Sequence, residues 1–431
     1  PSWAMKEGYE WGTDRSEYWG KGYYTLLTKF NPQNYDPDKW MEAASKAGMT
    51  YAVLTAKHHD GFANWPSKYT KFSVASSPWK NGTGDVLREF TDACREYGMH
   101  PGLYYSPYDH SAPAYNDPKA YDDYFIDQIS EILTGYGIID MLWLDGCGSE
   151  NHTYNWKRII GGIRRMQPGI RIFSLGDPDY RWVGNEDGLA PWPCEGTVDR
   201  APTSILSNAD THAGKRYLPA ECDVTMRERN WYFSDTDEHT VKSLDELMGM
   251  YYYSVGRNAN LLLNIGPDRR GLLPVADASR LMEFGAEIRR RFGVPFASLA
   301  HCTVNGSRIE YTAETAFLLD HIVLGENIAR GERIRRFTIR VMPFKMNREE
   351  NMIAVYEGRN IGHKAICRFP AVRTKKVIID IDADDTPDMA ACDLIYSGIH
   401  QNGAADPAAD NAITDHEERT CDTHGADPAS E

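Results

Sequence analysis

The chain has 431 residues, 42% of them hydrophobic and 25% charged, which is the balance of a globular protein and excludes a disordered or fibrous one. Its length exceeds one core of ordinary size, so a large domain with a smaller companion is expected. A formal net charge of −15, with basic residues only in short runs such as Arg289-Arg290-Arg291, argues against nucleic acid as a partner. No apolar run is long enough to cross a bilayer, so no membrane partner is expected either.

The eight cysteines are scattered, without CxxC spacing, so no zinc site built on cysteine is expected. The first residue is Pro1 and no secretory leader follows, so the chain reads as a processed form or a fragment. The 11 Trp and 25 Tyr supply flat rings with polar edges that suit sugar faces, although most are expected in the core.

Elements alternate along the first two-thirds. Asp36-Pro37 offers an N-cap and a first-turn proline, Trp40, Ala43, Ala44 and Ala47 make an apolar stripe, and Gly48 closes the helix. Met49 to Thr55 is then a strand-length apolar run, ending in the polar cluster Lys57-His58-His59-Asp60. Val86, Leu87, Phe90, Cys94 and Tyr97 mark a second helix. Met99 to Tyr105 is a second strand, ending in Ser106-Pro107. Asp117-Pro118 opens a third helix, and Ile138 to Leu144 is a strand that ends at Asp145-Gly146. Ile170 to Leu175 and Asn260 to Ile265 are further strands. Runs buried on both faces are the mark of parallel strands.

These reactive-looking residues sit at C-terminal strand ends, which converge on one face of a closed barrel. No glycine-rich nucleotide turn follows any strand, which disfavours an open doubly wound sheet. The expected fold is therefore an α/β, (β/α)8-type barrel over residues 1–297, with a β-sandwich at 298–399. Strand-like alternation recurs there at Arg333 to Val341, Met352 to Glu357 and Lys375 to Ile381. Residues 400–431 contain almost no large apolar side chain and are expected to form no core.

Asp145, in WLDG, is a carboxylate with apolar neighbours at a strand end, a position open to catalysis or to a helix cap. Glycoside hydrolysis needs two carboxyl groups across the scissile bond, and Trp143 beside Asp145 could pack on a sugar. His58 and His59 could hydrogen-bond vicinal hydroxyls, or join Asp60 as metal ligands. Adjacent residues of a regular strand point to opposite faces, which weighs against the metal. Glu186 in RWVGNEDG and Glu221 in LPAECD are both candidates for the second carboxyl group.

KHHDGF (57–62), WLDG (143–146) and GRNANLLLNIGPDRRG (256–271), with YWGKGY (18–23) and NIGHKAICRFPAVRTKKVII (360–379), resemble in order glycoside hydrolase family 29, the α-L-fucosidases. The resemblance runs to about residue 398. It implies a barrel followed by a β-sandwich, no cofactor and no metal, and fucosylated oligosaccharides or glycoconjugates as substrates. It implies a retaining mechanism with Asp145 as nucleophile, and fucose contacts from His58, His59, Trp143 and Tyr105. Glu17, Tyr18 and Trp19 resemble a further sugar-contacting segment.

RWVGNEDG and ECDVTMRERNWYF resemble the branch selective for α-1,3- and α-1,4-linked fucose, in which Glu186 is the acid/base. In the other branch that role falls to Glu221. Family members also begin with a strand ending in His-Trp-Gly, which is not found in this sequence, so the barrel is expected to lack its first strand. Two rival readings remain: a fucose-binding protein without turnover, and a metal-dependent hydrolase using His58, His59 and Asp60.

Overall fold

The computed structural model of the chain describes residues 23–199, 214–228 and 231–398. Glu17, Tyr18, Trp19 and the segment 400–431 lie outside these.

The barrel wall begins with four parallel strands in sequential order: β1 (Tyr51–Lys57), β2 (His100–Tyr105), β3 (Met141–Leu144) and β4 (Arg171–Phe173). A parallel bridge from Phe173 to Tyr180 leads into β5 (Arg181–Trp182). A short hairpin, β6 (Thr197–Val198) with β7 (Arg216–Tyr217), precedes β8 (Ala220–Thr225) and β9 (Ala259–Asn264). β5, β8 and β9 form a second parallel sheet in that order.

Helices α1 (Pro37–Lys46), α2 (Val86–Glu96), α3 (Pro118–Gly135) and α4 (Trp156–Met166) connect the strands, and α5 (Leu244–Tyr253) and α6 (Val275–Phe292) flank β9. Their N-caps have simple chemical causes. Asp36, Asp85 and Asp117 each accept backbone N–H groups that a first helical turn leaves without intrahelical partners. The main core joins Leu87 and Phe90 of α2, Phe125 and Ile129 of α3, Ile159 of α4, and Leu103 and Leu142 from the strands.

Among the described residues no strand pairs with the outer edge of β1 or of β9, which leaves a seam between those two edges within them. β8 escapes a search for apolar runs because it reads Ala-Glu-Cys-Asp-Val-Thr, yet all six of its residues are buried.

The second domain is one antiparallel sheet of six strands: β10 (Thr303–Asn305), β11 (Arg308–Glu326), β12 (Ile334–Pro343), β13 (Ile353–Gly358), β14 (Ala365–Ala383) and β15 (Met389–Ile395). β11 and β14, 19 residues each, are longer than the alternation indicates, and their register shifts at Thr312/Phe317 and Leu319/His321. The sheet bends round one core containing Ile309, Phe337, Ile379 and Leu394.

Asn258, in the GRNAN string, ties the domains together. Its backbone is left-handed (φ 65°). Its side chain donates to the Cys194 carbonyl and to Glu332, and accepts the His363 N–H at 2.7 Å. Glu332, only 5% exposed, also accepts the N–H groups of Gly196 at 2.8 Å and Thr197 at 3.0 Å. Gly362 closes the joint at φ 57°, where a Cβ would stand 2.3 Å from the Asn258 amide.

Candidate active site

The strand ends and the seam open into one cavity of about 1050 Å³. Ala52, Leu54, Leu261, Leu263 and Phe284 line its apolar part along the seam. Its polar part is made by Asp145, Glu186, Asp223, His58, Trp143 and Trp182.

Asp145 follows β3 directly, and its two oxygens are held separately. Oδ1 accepts the Cys147 backbone N–H at 2.9 Å, and Oδ2 accepts the Tyr104 hydroxyl at 2.7 Å. His59 Nε2 stands 3.6 Å from Oδ2. The carboxylate is thereby fixed in rotamer while its side chain keeps 19% exposure toward the cavity.

β1 ends at Lys57, so His58 and His59 lie in the turn beyond it rather than on opposite faces of a strand. His58 stacks on Tyr104 at 5.5 Å and meets the edge of Tyr232 at 5.3 Å. Burial and the neighbouring His59 hold the His58 imidazole well below its usual pKa, leaving a neutral ring able to donate from one nitrogen and accept at the other. His59 Nδ1 bonds the Ser106 hydroxyl at 2.6 Å.

The rest of KHHDGF builds this turn. Lys57 is fully buried, 2.9 Å from both Asp109 Oδ2 and the Tyr105 hydroxyl, and its burial lowers the ammonium pKa. Gly61 has φ 84°, and a Cβ there would fall 2.0 Å from Ser111 Oγ. Only glycine fits.

Two expectations need correction. Tyr105 does not line the cavity: it is completely buried and donates to Gln128 Oε1 at 2.7 Å. Its neighbour Tyr104 faces the site instead, in register with Trp143 on β3, because alternate residues of a strand share a face. Asp60 does not join the histidines: it accepts from the Tyr23 hydroxyl at 2.8 Å and the Phe62 N–H at 3.0 Å. Among the described residues the group whose ligand atoms all lie within 4.8 Å of one another is His58, His59 and Asp145, so the turn removes the geometric objection to a metal but changes the donor set.

The two glutamates differ in surroundings. Glu221 on β8 is 1% exposed, and its oxygens accept from the Tyr51 hydroxyl at 2.6 Å and Trp143 Nε1 at 2.8 Å. Burial raises its pKa. It orients Trp143, whose ring stacks between Tyr104 and Phe173. Glu186 sits on the loop after β5 and accepts from Trp231 Nε1 at 3.3 Å. Partial burial raises its carboxyl pKa, the Trp231 bond opposes this, and the charge of Asp145 adds to the rise.

Tyr104, Trp182 and Asp223 belong to the site although no motif singled them out. The spacing of Asp223, two residues beyond Glu221, was a signal that could have found it, whereas the sequence left open the strand phase that selects Tyr104. Trp182 gave no such signal.

A family model described as alpha-L-fucosidase matches residues 3–290. Alpha-L-fucosidase 1 of Arabidopsis thaliana is 32% identical over 417 residues, 86% of this chain and 79% of that protein. The tissue alpha-L-fucosidase of Mus musculus is 25% identical over 285 residues, 62% of this chain and 58% of its own. A solved glycoside hydrolase 29 family member from an unknown rumen bacterium has a TM-score of 0.75 at 31% identity, covering 87% of this chain and 71% of that one. A Ruminococcus gnavus GH29 fucosidase in complex with fucose, 24% identical, shares the fold with a TM-score of 0.76 over 92% of this chain and 89% of that one.

Proposed function

Since the chain belongs to the α-L-fucosidase family of glycoside hydrolases, we propose that it is a retaining exo-α-L-fucosidase acting on terminal α-1,3- and α-1,4-linked fucose, with Asp145 as nucleophile and Glu186 as acid/base. The observation that carries this reading is the pair of carboxyl groups in one cavity. One is fixed at a strand end, and the other rides on a loop with its proton favoured by burial.

In the first step Asp145 attacks the anomeric carbon of fucose, while Glu186 protonates the departing glycosidic oxygen. In the second, Glu186 takes a proton from water, which opens the fucosyl ester. His58 and His59 bind ring hydroxyls, and Trp143 walls the sugar. The buried, doubly bonded setting of Glu221 supports an orienting role for it, and a loop position for Glu186 suits an aglycone of branched shape.

Two nucleophilic displacements at one carbon restore its configuration, so α-fucose is the expected first product. Proton NMR of early turnover checks this, and β-fucose appearing first would reject the mechanism. The same reading gives His58 and His59 to hydroxyls. Dialysis against a chelator is therefore expected to leave turnover unchanged. A loss restored by a divalent ion would instead make His58, His59 and Asp145 a metal centre.

A further inference from the structure

Two tryptophans of the cavity are held in the same way, by two carboxyl groups of one strand. Glu221 of β8 accepts from Trp143 Nε1 at 2.8 Å. Asp223, two residues on and only 3% exposed, accepts from Trp182 Nε1 at 2.8 Å. Alternate residues of a strand share a face, so the two carboxyl groups point the same way and differ in height. Two residues of strand rise about 7 Å toward the C-terminal end. Asp223 therefore holds its indole nearer the mouth than Glu221 holds Trp143.

The chain between Trp182 and Glu186 brings these two together. β5 ends at Trp182, and the loop that leaves it returns to β8, where Asp187 forms an antiparallel bridge to Val224. The root of the loop is thus tied to Asp223, and its far arm to the next residue of the same strand. Trp182, Asp223 and Glu186 all line the cavity, and Trp182 is half-buried. Trp143 stands on the other side of the reaction. It lies two residues before Asp145, and its ring faces are covered by Tyr104 and Phe173, its partners in register on β2 and β4.

We propose that Trp182 is the platform for the sugar that leaves, a pyranose ring of the aglycone stacking on the indole, and that Asp223 is the positioning residue that fixes this platform. This rests on the assignment of Asp145 and Glu186. A retaining pair flanks the scissile bond, with the nucleophile at the fucose carbon and the acid at the oxygen shared with the leaving group. An aromatic tied to the acid's loop therefore meets the aglycone, and one beside the nucleophile meets fucose. The bond to Asp223 sets the plane of the indole before substrate arrives, so little side-chain freedom is lost on binding.

The test compares kcat/KM on two substrates that share fucose and differ in what leaves. One is an α-1,3/1,4-fucosylated oligosaccharide, and the other is α-L-fucosyl fluoride, whose leaving group is a single atom. For Trp182→Ala the ratio of the two values, oligosaccharide over fluoride, should fall roughly 5- to 30-fold, the worth of one stacked ring. The fall should lie in KM, because stacking is made in the ground state and the transition state alike. A merely structural effect lowers both values together, so an unmoved ratio overturns the inference. A greater loss on the fluoride also overturns it, by placing Trp182 against fucose. Asp223→Leu and Asp223→Asn give a second reading with the indole in place. Leucine removes the acceptor of the indole N–H, and the ratio should fall. Asparagine restores an acceptor, and most of the ratio should return. Equal ratios in these two variants would remove Asp223 from the positioning role. Glu186→Ala separates the two levels: normal oligosaccharide turnover there defeats the acid assignment, whereas crippled turnover with an unmoved Trp182→Ala ratio defeats this inference alone.

Discussion

Asp145→Asn should lower turnover by at least about a thousandfold, the loss expected when a covalent catalyst is removed. Asparagine matches aspartate in size and keeps an acceptor for the Cys147 N–H, so the turn after β3 should persist. Tyr104 can rotate its hydroxyl to accept from the new amide instead of donating to Oδ2. The variant should therefore fold and bind fucose while failing to form the ester. Measured kcat on a fucosylated oligosaccharide, with circular dichroism as the folding control, decides the matter. Near-normal turnover in a folded variant would remove Asp145 from the nucleophile's place.

Glu186→Ala should be the second large effect, and a selective one. General acid catalysis is worth roughly 10²–10⁴-fold, and most when the leaving group is poor. Cleavage of a branched oligosaccharide should fall by that order. An activated aryl fucoside should still form the fucosyl-enzyme, which azide then attacks, so azide should accelerate this variant. Glu221→Ala should behave differently. It strands the Trp143 and Tyr51 donors in a buried place, at a cost of about 1–3 kcal/mol each. Weaker substrate binding and lower thermal stability are expected there, without azide rescue. For the parent enzyme, simple aryl fucosides should be poor substrates beside α-1,3/1,4-fucosylated oligosaccharides. Azide rescue in Glu221→Ala alone, with aryl fucosides turned over readily, would transfer the acid role and the other linkage preference together.

Local chemistry explains which parts of this were legible beforehand. The capped helices and the continuous apolar strands announce themselves because caps and burial on both faces leave short-range signatures, as at Asp36, Asp117 and the run Met141–Leu144. β8 does not, because its inward carboxyls are tolerated through partners distant in sequence: Tyr51 and Trp143 for Glu221, Trp182 for Asp223. The same limit misplaced the aromatic that lines the cavity. Choosing between Tyr104 and Tyr105 takes the phase of the strand, which the apolar run MHPGLYY leaves open and the pairing of Tyr104 with Trp143 fixes. The HHD cluster failed for a related reason. Lys57 ends β1, and the turn that follows sends His58 and His59 toward Asp145 and Asp60 toward Tyr23.

The Asn258–Glu332 joint couples the second domain to the stretch of the barrel that carries Glu186. Glu332 grips Gly196 and Thr197, the downstream footing of the stretch whose upstream arm bears Glu186. Pulling the domains apart would break the bonds of Glu332 to Asn258, Gly196 and Thr197 together, so separation is no cheap first step toward denaturation. The two bodies should melt as a single cooperative unit. A substitution that loosens Glu332 would then be felt in the stretch that carries Glu186 as well as in the sheet that holds it.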